Sequence, residues 1–158
     1  MNMEKVDMTK WKKLIGKERI YNNNYKGRTD VVAWDVLPIN NEQKLELEFL
    51  SSNSKYLQGV RLAIDTGEGE LEINGIKDRG MKLWENTAPK KVKIRCTSSE
   101  GKLSVYNISR DENGNLVSVA DFQGMLIEEV GNIRIYRCND VYLNDNFDKL
   151  VFKITKVE

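Results

Sequence analysis

The stretch from Gly131 to Thr155 reads G-N-I-R-I-Y-R-C-N-D-V-Y-L-N-D-N-F-D-K-L-V-F-K-I-T. Apolar side chains recur in both halves of the stretch: Ile133, Ile135, Tyr136, Leu150, Phe152 and Ile154. Between the two halves lies a segment crowded with Asp and Asn. Since alternation of apolar and polar residues is typical of a strand with one buried face, the stretch predicts two core strands around a loop. We expect this loop to be the functional site.

The same alternation recurs along the rest of the chain. In Lys44–Leu50 the apolar residues Leu45, Leu47 and Phe49 alternate with two glutamates. Turn dipeptides such as Asn74-Gly75 separate many of these segments. Roughly nine to eleven short strands result, which favours an all-β fold, an antiparallel, jelly-roll-like β-sandwich. No composition shift marks a second domain, so residues 21–158 are predicted to form one sandwich.

Residues 1–20 are predicted to be a tail with a short helix. In Met8–Ile20 the apolar residues Met8, Trp11, Leu14 and Ile15 share one helical face. Thr9 is placed to cap the start of this helix, and Gly16 to end it. A helix this short needs tertiary packing to persist, so we expect it to cap one end of a sheet.

Composition narrows the classes of function. The chain has 158 residues, of which 40% are hydrophobic and 31% charged, and its net charge is +1. The charge balance makes nucleic acid an unlikely partner, and no apolar run approaches the roughly 20 residues that cross a bilayer. The chain contains no histidine, which excludes a Ser-His-Asp or Cys-His site within it. An enzyme is therefore the less favoured class.

The two cysteines, Cys96 and Cys138, each fall in a predicted strand. Two thiols in a chain of this length do not make a disulfide framework. Residues 1–17 carry charges throughout and lack the apolar core of a secretory leader. We expect a cytoplasmic protein whose thiols are free, with a Cys96–Cys138 bridge as the alternative.

The terminal loop concentrates hard oxygen donors within ten residues: Asn139, Asp140, Asn144, Asp145, Asn146 and Asp148. Ca²⁺ prefers six to eight such oxygens. The spacing is not that of an EF-hand, because neither the turn glycine nor the closing glutamate is present. Asx side chains also stabilise turns without a metal, by bonding their own backbone. Both interpretations stay open.

The run Asn144–Phe152 resembles the Asx-rich loop and last strand of calcium-dependent bacterial lectins, whose pattern is D-x-D-aromatic-N/D-D-aliphatic-V. The resemblance implies that Asp145, Asn146 and Asp148 are calcium ligands. Asp140 and Asn144, in the same loop, are further candidate metal ligands. Lys149 departs from the pattern, since it stands where the last Asp belongs. In such lectins the metal also holds sugar hydroxyls.

Three blocks of the chain also resemble an uncharacterised family of bacterial β-rich proteins: Trp84–Cys96, Lys102–Ser109 and Gly124–Ile154. That resemblance implies a β-sandwich and no established activity.

Other candidate binding residues are aromatic or basic. Trp84 and Tyr142 lie near predicted loops, where exposed rings can stack on a ligand. Arg134 and Arg137 suit carboxylates or phosphates, although cations also decorate ordinary strand edges. The cations of Lys90–Arg95 would form a basic patch with Arg134 only if their strands were adjacent.

Taken together, these features favour a non-catalytic binding protein of a bacterial or phage cytoplasm. Its expected partner is another protein or a second copy of itself, because sandwich edges and faces invite such contacts. The alternative is a calcium-dependent carbohydrate-binding module that uses the terminal loop. The third class is an enzyme without histidine chemistry.

Overall fold

The structure, a computed structural model, describes residues 11–23, 25–118, 124–140 and 146–157. Within these residues it contains thirteen strands: β1 (Ile20–Tyr21), β2 (Val32–Pro38), β3 (Glu42–Ser52), β4 (Gln58–Ala63), β5 (Gly69–Ile73), β6 (Ile76–Asp78), β7 (Gly80–Trp84), β8 (Lys91–Ser98), β9 (Lys102–Arg110), β10 (Leu116–Ser118), β11 (Gly124–Val130), β12 (Ile133–Asn139) and β13 (Leu150–Val157). All of their pairings are antiparallel. The predicted all-β antiparallel fold is confirmed, and the two predicted terminal strands are β12 and β13.

The strands form two layers of one continuous sheet. The first layer runs in the order β6-β5-β8-β3-β13-β12-β11, and the second in the order β2-β9-β4-β7. Strand β2 belongs to both, since Val32 pairs with Met125 of β11 while Asp35 pairs with Val105 of β9. The chain changes layer from β2 to β3 to β4 and again from β7 to β8 to β9, as in a jelly roll. The sheet is barrel-like and nearly closed, with β6 and β7 at its two ends.

The core lies between the layers and follows the predicted alternation. In β3, Leu45, Leu47 and Phe49 are buried, whereas Glu46 and Glu48 lie on the outer face. Fully burying an apolar side chain of this size contributes about 1.5–3 kcal/mol to folding. This alternation across both layers supplies most of the driving force for the fold.

On the outer face of the first layer, lysines lie beside glutamates of neighbouring strands. Lys91 and Lys93 of β8 pair in register with Glu48 and Glu46 of β3. Lys153 of β13 reaches Glu48 from the other side, at 3.4 Å. Because β3 and β13 separate β8 from β12, the cations of β8 do not form a patch with Arg134. Because of this strand order, the lysines of β8, which the sequence suggests as a basic face, lie beside glutamates of β3.

The predicted N-terminal helix is wrong for the described part of the segment. From Trp11 onward the chain forms successive turns, in which Ile15 donates to the carbonyl of Trp11 at 3.0 Å and Glu18 to that of Leu14 at 3.0 Å. The start of the predicted helix, Met8 and Thr9, lies outside the described residues. No helix in the described ranges is long and apolar enough to cross a membrane.

The turns follow the surface of the sheet instead of forming a rod. Trp11, Leu14 and Ile15 pack against the core as partly buried side chains. Gly16 has a φ of +73°, and a Cβ at this position would lie 2.7 Å from the Cβ of Asp65. The left-handed conformation of Gly16 and its close contact with the sheet therefore prevent a helix from continuing through this residue. A segment this short cannot sustain a helix alone.

A buried carboxylate connects the two layers. Asp35 of β2 is 0% exposed and accepts hydrogen bonds from Arg19 Nε at 2.7 Å, Arg134 Nη1 at 2.8 Å and the Tyr136 hydroxyl at 2.7 Å. Glu129 of β11 completes the network, since it lies 3.3 Å from Arg19 Nη2 and 3.1 Å from Arg134 Nη2. Two cations and two anions balance, and we call this group the Asp35 network.

The surroundings in the Asp35 network shift the pKa values of Tyr136 and Arg19. Burial raises the pKa of Tyr136 well above its ordinary value of 10, and the charge of Asp35 raises it further. Burial alone would lower the pKa of Arg19, but attraction and hydrogen bonding to Asp35 outweigh it and the pKa rises. Because the folded pKa of Tyr136 exceeds the unfolded one, its contribution to stability is complete below about pH 10 and is lost as the pH rises further.

We predict that Asp35→Ala destabilises the protein by about 3–5 kcal/mol, because it leaves a partly buried guanidinium without its counter-charge. Urea unfolding followed by circular dichroism measures the change. The matched control is Arg137→Ala, which removes an exposed ion pair to Glu128 at 3.6 Å and is expected to cost less than about 1 kcal/mol. Equal effects of the two substitutions would show that the Asp35 network does not hold the layers together.

Both cysteines are free and buried. Burial raises the pKa of Cys96 to about 12 and that of Cys138 well above its ordinary value. Since the thiolate is the reactive form, we predict that a thiol reagent at about pH 8 modifies neither cysteine in the folded protein. In denaturant both should react, and fewer than two reactive thiols in the unfolded chain would indicate a bridge.

Candidate functional site

The buried start of the acidic loop is part of the protein interior. Asp140 is 1% exposed and accepts hydrogen bonds from the hydroxyl of Ser54 and, at 3.5 Å, from Nε2 of Gln58. Its carboxylate therefore faces polar side chains that precede and begin β4. A ligand from solvent would have to displace these contacts to reach it.

Asn139 holds the returning end of the loop. Its Oδ1 accepts from the backbone N–H of Phe147 at 2.9 Å, and its Nδ2 contacts the hydroxyl of Tyr25. Phe147 has a φ of +48°, which costs about 1–2 kcal/mol for an L-residue. Its ring packs 5.4 Å from that of Tyr25, beside Val31 in a small second core. The amide bond and the buried ring together offset the backbone strain.

The end of the loop presents a carboxylate that already has a cation beside it. Asp148 accepts from Asn53 Nδ2 at 2.7 Å, and Lys149 Nζ lies 3.4 Å from its other oxygen. The bond from Asn53, followed by the contact with Lys149, lowers the pKa of Asp148. The lysine that departs from the lectin pattern thus points towards the predicted ligand, where its charge opposes a metal ion.

The remaining predicted ligands do not complete a metal centre in the described structure. Asn146 is exposed, while Asn144 and Asp145 lie outside the described residues, as does Tyr142. Among the residues that are described, no group of three or more Cys, Asp or Glu side chains is placed to hold a metal ion. Calcium binding at this loop stays a prediction.

We predict that Asn139→Ala lowers stability by about 1–3 kcal/mol, because the buried N–H of Phe147 loses its acceptor. Thermal unfolding measures the effect. Asn113→Ala, at an exposed turn, is the control and should change stability by less than about 0.5 kcal/mol. If the two variants unfold alike, Asn139 does not anchor the loop.

The two predicted arginines of β12 lie on opposite faces of the sheet. Arg134 points inward to the Asp35 network, and its side chain is only 13% exposed. Arg137 lies on the outer face, about half exposed, and forms an ion pair with Glu128 of β11 at 3.6 Å. They therefore do not form a joint anion site.

Trp84 is the predicted binding residue that lies at an open part of the fold. It ends β7, the last strand of the second layer, and pairs with Gly59 of β4. A Cβ at Gly59 would stand 2.7 Å from the indole, so the glycine lets the ring lie against β4. The guanidinium of Arg110 lies over the ring, 4.9 Å from a ring centroid. A ligand that stacks on this face would have to displace Arg110.

Strand β7 leaves one of its edges open. Glu85 donates to the carbonyl of Gln58 at 2.9 Å, and Ile64 donates to that of Arg79 at 2.8 Å. In an antiparallel ladder such bonded positions recur at every second residue, so Met81 and Leu83 face β4 with their peptide groups. The peptide groups of the alternate residues point the other way: Gly80, Lys82 and Trp84. In the described part of the chain, no second strand pairs with β7 along this edge, although the N–H of Gly80 donates to Oδ1 of Asp78 at 3.3 Å.

Two clefts follow this open edge. One, of about 580 Å³, borders the first part of β7 and extends to Arg61 and Asp65. The other, of about 350 Å³, lies between β7 and the facing parts of β5 and β8. Lys82 borders both clefts. We call the second cleft, together with the free edge of β7, the open seam.

The open seam has an apolar floor and a basic rim. Its floor is contributed by the core-facing residues Ile73, Leu83 and Val92, and its rim by three exposed lysines: Lys82, Lys91 and Lys93. No carboxylate is among the described residues that line this cleft.

The opposite end of β7 is closed by a different cation. The guanidinium of Arg79 donates to the carbonyls of Ile64 at 2.8 Å and Gly67 at 3.0 Å. Arg61 lies 3.7 Å from Asp65. These contacts hold Arg79 against the turn between the layers and place Arg61 beside Asp65.

Sequence reasoning missed both the Asp35 network and the open seam. The sequence does contain a signal for the Asp35 network, because Asp35 interrupts the apolar run V-V-A-W-D-V-L. A carboxylate that is buried in such a run requires partners. The open seam has no such local signal, since its three lysines lie on two strands from different layers. Comparison of the chain with models of known protein families gives no match, and neither does comparison with curated proteins.

Proposed function

We propose that this protein is a non-catalytic binding protein that accepts an extended segment of a partner protein along β7. The observation that supports the proposal is the free edge of β7 at the open seam. An unpaired row of N–H and C=O groups is a template for another strand, and addition of an extended peptide to such an edge is a recurring mode of recognition.

Lys82 is the centre of the proposed interaction. Its peptide group points away from β4, so both its N–H and its C=O are directed to an incoming strand. The carbonyl of Trp84 accepts from Thr87 at 3.1 Å and Ala88 at 2.8 Å, which ends the free edge there. Each backbone hydrogen bond to a partner contributes about 0.5–1.5 kcal/mol net. Main-chain bonds thus supply affinity, and the lining of the cleft supplies selectivity.

Charge favours a different protein over a second copy of this chain. The edge of β7 carries Lys82, which is in register with Arg61 of β4. Antiparallel pairing of two β7 strands about Lys82 would place the two Lys82 side chains next to each other across the new ladder, where like charges are destabilising. Self-association is therefore the less favoured form of the interaction. The calcium-dependent carbohydrate module and the enzyme remain predictions that no described contact favours.

We predict that Lys82→Pro weakens strand addition while the fold persists. Proline removes the N–H that points to the open edge and leaves the β4 ladder intact, as proline does at edge strands. The measurement is panning of a displayed library of random peptides, about six residues long as in an average strand, against the native protein. Enriched peptides should bind the native protein and lose up to about tenfold in affinity for Lys82→Pro, as expected for loss of a backbone bond.

The matched control is Lys82→Ala, which removes the same side chain but keeps the N–H. Slowed amide exchange at Lys82 on peptide addition gives a second, independent readout. Peptides that bind Lys82→Pro as well as Lys82→Ala would disprove strand addition at β7. Light scattering of the unliganded protein should report a monomer, and a dimer that Lys82→Pro dissolves would instead support self-association.

A further inference from the structure

We propose that the segment accepted at the open seam is acidic on one face and apolar on the other, with carboxylates at alternate positions. This inference rests on the proposed function, since it specifies the partner of the same edge. It follows from the arrangement of charge and apolar surface around the open seam.

The basic rim comes from both layers of the sheet. Lys82 stands on the outer face of the second layer, in register with Arg61. Lys91 and Lys93 stand on the outer face of the first layer. These two outer faces meet at the open seam, where the described lining of the cleft contains the three lysines and no carboxylate. An outward-facing side chain of a bound strand would therefore lie between cations of both layers.

The glutamates that pair with Lys91 and Lys93 do not occupy the open seam. Glu46 and Glu48 belong to β3, on the side of β8 away from the open seam. Glu48 is also shared with Lys153, at 3.4 Å. The ammonium groups of Lys91 and Lys93 are thus free to turn from β3 to a carboxylate in the cleft.

The apolar floor of the open seam selects the side chains of the bound segment that point between the layers. Val92 is 4% exposed and belongs to the main core, against which Ile73 and Leu83 pack as partly buried side chains. A strand that pairs with β7 directs alternate side chains between the layers, towards this floor. Apolar residues at those positions would extend the core, whereas charged ones would be desolvated without a partner.

The lining favours a peptide over a polyanion such as single-stranded nucleic acid. Stacking of bases needs an accessible aromatic face, and the Trp84 ring has Arg110 over it. A polyanion would use the lysines but not the unpaired peptide groups of β7. An acidic strand uses both.

The test compares three synthetic peptides of about six residues, a usual strand length. All carry valine at alternate positions, and the intervening positions carry glutamate, glutamine or lysine. Titration is followed by Trp84 emission, assigned with Trp84→Phe, and by calorimetry. The glutamate peptide should bind about tenfold more tightly than the glutamine peptide, as three exposed ion pairs allow. This preference should shrink at high salt.

Variants of the protein test where the preference arises. Lys91→Glu combined with Lys93→Glu should reverse the order of the glutamate and lysine peptides. The control is Lys44→Glu, a single lysine-to-glutamate substitution at an exposed position on the outer face of β3, outside the lining of the open seam. It should preserve the native order.

The outcomes separate the two proposals. Equal binding of the glutamate and glutamine peptides, with slowed exchange at Lys82, would overturn the acidic partner and leave strand addition standing. No binding of any peptide and no enriched library sequence would overturn both. Tighter binding of a single-stranded oligonucleotide that is unaffected by Lys82→Pro would replace the acidic strand with a polyanion.

Discussion

A carboxylate sealed inside a β-sandwich constrains everything around it. Asp35 cannot remain charged in the core unless cations and hydrogen-bond donors meet it there. Arg19 comes from the segment before β1, and Arg134 and Tyr136 come from β12 in the other layer. Their convergence specifies how the N-terminal segment and the terminal hairpin lie against β2. Apolar burial stabilises the sandwich, while the Asp35 network joins β2 to β12 and to the segment before β1.

The two lateral sides of the sandwich are closed differently. On one side β2 belongs to both layers, so the ladder continues around the corner. On the other side β6 ends at Asp78 and β7 begins at Gly80, and only Arg79 lies between them. The chain turns back at this residue, so β6 pairs with β5 while β7 pairs with β4. The turn leaves β7 with one free edge, and this edge together with the cleft between β7 and the facing parts of β5 and β8 is the open seam.

The acidic loop shows how far local chemistry can be interpreted. Its Asx residues are real anchors, but Asn139 and Asp140 turn inward to bond Phe147, Ser54 and Gln58. Calcium ligation and turn stabilisation use the same side-chain oxygens, so spacing alone does not separate them. The direction of each side chain decides between calcium ligation and turn stabilisation. This direction depends on β4 and the Tyr25 segment, which are remote in sequence. Of the predicted binding residues, Trp84 lies at the open seam because of its place at the end of an edge strand, which its neighbours in sequence do not reveal.

Alternation of apolar residues every second position is a local property, and it determined the all-β fold, most of the strands and the inward residues of β3 without reference to tertiary structure. Strand order is not local, because every strand with one apolar face can pair with many others at similar cost. Tertiary structure therefore decided that the lysines of β8 lie beside the glutamates of β3, that Arg134 is buried against Asp35, and that β7 has one free edge. The physical reason is that hydrogen-bond registers and charge pairs form between segments far apart in the chain, where sequence periodicity carries no information about neighbours.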